Sequence, residues 1–93
     1  MKFTIRNQAN ISNKYLRFAK WKIRKLGGTY GNILYSDIFV KQLSAKSQQY
    51  GVVVRMGVPG PDIIVSAKSD NLNALWSDLS SKMKRQLRKH NAK

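Results

Sequence analysis

In the opening stretch KFTIRN, Phe3 and Ile5 alternate with Lys2, Thr4 and Arg6. This period of two is the signature of a half-buried strand. The period then changes. Tyr15, Leu16, Ala19, Ile23 and Leu26 recur at helical spacing, with Ser12 placed to cap the start and Gly27-Gly28 to stop the end. An amphipathic helix of about four turns is expected there. Residues 32–43 read as a second strand with Leu34, Ile38 and Val40 inward, and residues 44–49 as a polar connection. A third strand over residues 50–58 places Val52, Val54 and Met56 on one face and Val53 and Arg55 on the other. GVPGPD punctuates the chain as a hairpin loop. A fourth strand over 62–68 turns Ile63, Val65 and Ala67 inward.

The last element is the longest. Asp70 is placed as its cap, and Leu72, Leu75, Trp76, Leu79, Met83 and Leu87 follow at offsets that hold one helical stripe. The closing KMKRQLRKHNAK therefore belongs to a helix, not to a loose basic tail, with about the last three residues frayed. The order β-α-β-β-β-α predicts an α+β two-layer sandwich: a four-stranded mixed sheet whose first two strands are parallel, with two helices on one face. Ninety-three residues suit a single domain, residues 1–93.

Charge changes the picture from fold to partner. Eighteen Lys and Arg face four acids, all Asp, for a formal net charge of +14. Residues 1–30 hold eight cations and no acid. A field that one-sided implies a polyanionic partner. On a helical wheel, Lys14, Arg17, Lys20, Arg24 and Lys25 fall outside the apolar arc of the first helix, Trp21 lies amid them, and Lys22 borders Tyr15. In the second helix Lys84, Arg85, Arg88 and Lys89 occupy the polar face of the C-terminal half, while Asn73, Ser77, Ser80 and Ser81 fill the N-terminal half. Two neighbouring basic helices would make a cationic platform for a phosphate backbone. The expected RNA-contacting set is Lys14, Arg17, Trp21, Lys22, Arg24, Lys25, Lys82, Lys84, Arg85, Arg88 and Lys89.

Blander readings stand beside these. Cations near a helix C-terminus offset the macrodipole, which accounts for three or four of them. Trp21 either folds over lysine stems or stacks on a base. His90 falls on the apolar line and reads as a packing or capping residue. Tyr35, Phe39, Val53 and Ile64, flanked by Asp37 and Arg55, would line the other sheet face, as ordinary strand residues or as a protein contact. Catalysis finds little support. With no Glu, no Cys and one His, neither a triad nor a metal cluster can be assembled from the usual groups, and no glycine-rich phosphate loop is present. No catalytic residue, metal, cofactor, small-molecule substrate or membrane partner is expected. The absence of cysteine, of a ~20-residue apolar run and of a leader-like start points to the cytoplasm.

Ser66 and Ala67 at the end of the last strand, followed by Arg85, Gln86, Leu87, Lys89 and His90 near the end of the helix, make residues 63–90 resemble the ribosome hibernation promoting factors, also called ribosome-associated inhibitors. Phe18, Lys22, Lys25 and Leu26 match the family's aromatic, two lysines and leucine in the first helix. The likeness is to the short form, without a C-terminal dimerisation domain, although the GVPGP hairpin is longer than usual and the lack of Glu makes the chain unusually basic. It implies binding to small-subunit rRNA and neighbouring ribosomal proteins in the mRNA and tRNA channel. Translation would be inhibited in stationary phase and ribosome dimerisation promoted. A double-stranded-RNA-binding module and an integral ribosomal protein are the alternatives. The first of these usually carries its lysines at the start of the last helix, where this chain has Asp70-Asn71-Leu72-Asn73.

Overall fold

The alternation in the strands builds the sheet. In the computed structural model, which describes residues 2–31, 33–44 and 49–91, β1 (Lys2–Asn7), β2 (Tyr35–Ser44), β3 (Gln49–Gly57) and β4 (Ile63–Ser69) pair in the order β1-β2-β3-β4. β1 and β2 are parallel, and the other neighbours are antiparallel. Ile38, Val40, Val52, Val54, Met56, Ile63, Val65 and Ala67 are all buried on one face. Over that face lie α1 (Asn13–Tyr30) and α2 (Leu72–Asn91), which bury Leu16, Ala19 and Ile23 and Leu75, Trp76, Leu79, Met83 and Leu87 in the same core. The expected mixed-sheet sandwich with both helices on one face is the observed fold.

Local chemistry sets the ends of the elements. Asn7 clamps the turn before α1: its Nδ2 donates to the Ile11 carbonyl at 2.9 Å and its Oδ1 accepts from the Ile11 N–H at 3.1 Å. Ser12 caps α1 as expected, its Oγ accepting from the Lys14 N–H. Gly27-Gly28 does not stop the helix. α1 runs one turn further, because Leu26 and Tyr30 still pack on the core, and it ends where Gly31 takes φ 69° and ψ 176°. That conformation is essentially reserved for glycine. The Gly31 N–H closes the last turn on the Gly27 carbonyl at 2.7 Å.

α2 starts one residue later than the Asp70 cap would require. Asn71 is its cap: the Asn71 Oδ1 accepts from the N–H groups of Asn73 and Ala74 at 3.0 and 3.3 Å. Asp70 stands one position too early to reach those donors.

β2 begins at Tyr35, so Leu34 precedes the pleat and is 64% exposed instead of inward. Ile33 and Ser36 take the buried places on either side of it. The expected strand start at residue 32 lies outside the described residues. In the expected connection, Ser44 and Gln49 pair with each other in the sheet, and residues 45–48 lie outside the description. The fraying expected of the last three residues falls largely on 92 and 93, also outside it, while the helix includes Asn91.

The two glycine positions separate the two accounts of how α1 ends. A Cβ at Gly28 or at Gly31 would meet no atom within 4 Å, so backbone preference alone decides the outcome. Gly28→Ala is expected to stabilise the protein by about 0.5–1 kcal/mol, and Gly31→Ala to destabilise it by about 1–3 kcal/mol. Urea unfolding of both variants checks the opposite signs. Stabilisation by both would mean that the helix stop lies elsewhere.

Candidate nucleic-acid interface

At about 100° per residue, the charged positions of each helix fall on two sides of its apolar stripe, and packing side by side gives those sides different neighbours. Between the helices runs a groove with two hollows. The first, about 390 Å³, is lined by Lys14, Tyr15, Phe18 and Lys22 of α1 and by Asn73, Trp76, Ser77 and Ser80 of α2. The second, about 500 Å³, is lined by Lys22, Lys25, Leu26, Thr29 and Tyr30 and by Ser77, Ser80, Ser81, Lys84 and Arg88. Lys22, Ser77 and Ser80 belong to both, so the hollows are continuous. The helices run in the same direction, since early residues of one face early residues of the other.

Five cations, Lys14, Lys22, Lys25, Lys84 and Arg88, therefore converge on one groove from two elements, and among the described residues no carboxylate lines it. Both ion pairs among the described residues lie outside it, Arg55 with Asp62 and Lys82 with Asp78. Like charges held together across a cleft concentrate positive potential there.

Residues 2–93 match the family described as sigma 54 modulation protein / S30EA ribosomal protein. The chain belongs to this family. Among solved structures, a ribosomal subunit interface protein from Coxiella burnetii shares the fold with a TM-score of 0.85 at 23% identity, over 100% of each chain. The Thermus thermophilus Protein Y N-terminal domain does so with a TM-score of 0.74 at 16% identity, over 96% of this chain and 94% of that one. Among curated proteins, no sequence matches.

Within this S30EA chain the remaining expected contacts take up separate positions. Arg17, with Lys20, lies beside Ile5 on the β1 side, and the Arg24 guanidinium sits 5.2 Å over the Phe3 ring. On the β4 side, Lys82 donates from Nζ to the Ser66 carbonyl at 2.7 Å and pairs with Asp78 at 3.2 Å. Lys89 stands with His90 near Pro61, Asp62 and Ile64; His90 is half-buried there, as a packing residue should be. Arg85 is exposed between the two sides. The single basic platform expected from the sequence resolves into a groove with two flanks.

Trp21 sits at the crest of α1, 52% exposed. Lysine ammoniums approach its ring, Lys25 at 4.8 Å and Lys22 at 5.9 Å, and Phe18 packs against it with centroids 6.1 Å apart. It thus folds among lysine side chains while half of it faces water. The sequence reading placed Tyr15 on the stripe and did not see that Tyr15 and Phe18 open into the groove. A wheel of one helix does not show it, because it does not say which arc faces the other helix.

The opposite sheet face carries the other charge cluster. Asp62 Oδ2 accepts from the Tyr35 hydroxyl at 2.8 Å and from Arg55 Nε at 2.7 Å. The Tyr35 hydroxyl first, and then Arg55, hold the Asp62 carboxyl below the usual carboxylate range. The same contact with Asp62 raises Tyr35, with partial burial adding to it, and raises Arg55. The Tyr35 ring lies over Gly57, where any Cβ would collide with it. This staple ties the β3–β4 loop to β2, away from the groove.

A folded-state pKa depressed below the unfolded value contributes stability above the unfolded carboxyl pKa of about 3.9 and loses it as pH falls through the folded value. Asp62→Asn should therefore lower the melting temperature at pH 7, by a margin that closes as the pH is taken below about 4. An equal deficit at both pH values would show that the carboxylate charge is not what closes the loop.

Proposed function

We propose that this protein binds the small ribosomal subunit through the groove between α1 and α2, occupying the mRNA and tRNA channel and holding translation down in stationary phase. The convergence of five cations from two helices on a carboxylate-free groove carries this reading. Phosphate contacts account for much of the affinity and positioning in such complexes, and structured RNA is read largely by shape, phosphate and 2′-OH contacts. The hydroxyls of Ser77, Ser80 and Ser81 supply donors between the cations.

Membership of the S30EA family supports a ribosomal partner, as do a fold neighbour named as a ribosomal subunit interface protein and the resemblance of residues 63–90 to hibernation factors. No helix among the described residues is long and apolar enough to cross a membrane, and the cytoplasm, where ribosomes work, is the compartment this role requires. Arg17 and Arg24 on one flank, Lys89 on the other, Arg85 between the sides, and Trp21 on the crest would meet the walls of a channel that surrounds the domain. Lys82 contributes least to RNA contact, because its ammonium already holds Ser66 and Asp78.

Reversing Lys25, Lys84 and Arg88 to Glu should abolish co-sedimentation with small subunits and relieve inhibition of translation in a reconstituted system. Far-UV circular dichroism should not change, since all three side chains are exposed. If each of the five groove cations neutralises one phosphate, raising salt from 50 to 200 mM should weaken binding by roughly 100- to 500-fold. Retained binding by the triple variant, or a flat salt response, would overturn the groove as the interface. Occupancy of ribosomes should rise on entry to stationary phase; equal occupancy in every phase would identify an integral ribosomal protein instead.

A further inference from the structure

The two hollows of the groove differ in chemistry. Ser77 and Ser80 line both, but the second gathers four cations around them, whereas the first adds Tyr15, Phe18 and Trp76 and carries two cations, Lys14 and Lys22. We propose that the first hollow receives the base of one unpaired nucleotide of a single RNA strand, between Phe18, Tyr15 and Trp76, with the flanking phosphates on Lys14 and Lys22. This rests on the RNA reading above and adds to it a base-binding site, distinct from the phosphate contacts.

The occupant must offer an aromatic plane and negative charge within a few ångströms of each other. The Lys14 ammonium already stands 5.6 Å over the Tyr15 ring, so a phosphate on Lys14 lies beside a base on that wall. Phe18 lines the hollow, packs against Trp21 and still leaves 46% of its surface exposed. A base would take that ring out of water, and base–aromatic stacking needs no particular sequence. Trp76 adds a buried aromatic side chain to the lining, and Asn73, Ser77 and Ser80 supply there the donors and acceptors that a base edge can pair with.

The volume, about 390 Å³, suits a small flat ligand and not a double helix. An acidic peptide would satisfy the lysines and leave the aromatic walls unfilled. Free nucleotides share the chemistry of a strand, but the cations continue along the groove through Lys25, Lys84 and Arg88, which a mononucleotide cannot reach.

The test compares three probes by fluorescence anisotropy and competition at one salt concentration. They are a mixed-sequence RNA strand of about eight nucleotides, a size typical of single-strand sites, a strand of the same length and charge made of abasic sites, and a free nucleoside monophosphate. The intact strand should bind about tenfold tighter than the abasic strand, as stacking of one base predicts, with the mononucleotide far weaker than either. Phe18→Ala should erase the preference for bases and leave the salt dependence unchanged, and Phe18→Tyr should restore it.

Equal binding of intact and abasic strands by the wild-type protein would overturn the base site while leaving the phosphate groove standing, provided that both still respond to Lys84→Glu and Arg88→Glu. A mononucleotide as tight as the strand would overturn the assignment to a strand. If neither strand bound at low salt, the RNA reading itself would fall, and the base site with it.

Discussion

Only one face of the sheet can be made dry, and the rest of the molecule follows from covering it. Ile38, Val40, Val52, Val54 and Met56 form rows with almost no exposed surface, closed by Ile23 from α1 and by Leu75, Leu79 and Leu87 from α2. Each such side chain contributes about 1.5–3 kcal/mol when fully buried. Repulsion between exposed ammoniums is weaker, because salt screens it over about 8–10 Å. The core therefore outweighs the repulsion and holds two cationic helices side by side. Apart from the Phe18–Trp21 pair, no large apolar side chain of either helix is exposed among the described residues, so the spacing of the stripes fixes which charges face each other across the groove.

The same packing carries other cations of the helices to the edges of the sheet. An unpaired strand edge invites pairing with another chain. On β4, the last strand of the sheet, the Ser66 carbonyl is taken by the Lys82 ammonium, which Asp78 one turn earlier in α2 holds in place. Along β1, at the opposite edge, Arg24 lies over Phe3, and Arg17 and Lys20 stand beside Ile5. The charge excess thus divides into a groove without carboxylates and two flanks whose side chains are partly engaged in covering the sheet.

Much of this was legible in the chain. Period two gave the inner rows of β3 and β4, period 3.6 gave both helices, and the order of elements gave the parallel pair at the start. The misreadings share a cause: each depended on one residue's geometry relative to a neighbour. Gly27-Gly28 looked like a stop, but a glycine pair lowers helix propensity without ending a helix whose next turn is still packed. Gly31 ends it, through a backbone conformation that no pattern displays. Asp70 and Asn71 are both good caps, and a shift of one residue chooses between them. Leu34 has the parity of the inner row but lies before the strand has begun. The wheel of each helix placed the cations outward correctly. It could not say which side of each helix faces the other, so groove and flank were read as one surface.

The helix ends argue against treating the charge as mere solubility. Arg88, Lys89 and His90 lie in the last turn of α2, where cations favour the negative end of the helix dipole. That account fails at the opposite end. Neither helix has an acid in its first turn, and α1 places Lys14 there. Because the helices run in the same direction, their positive dipole ends lie toward one end of the groove. Lys14 adds to that potential next to the aromatic hollow, where it opposes helix formation and gains no acidic partner. Selection for stability alone would put Asp or Glu there. A site that must receive a phosphate would leave that end positive, at a modest cost to the free protein that the anion offsets on binding.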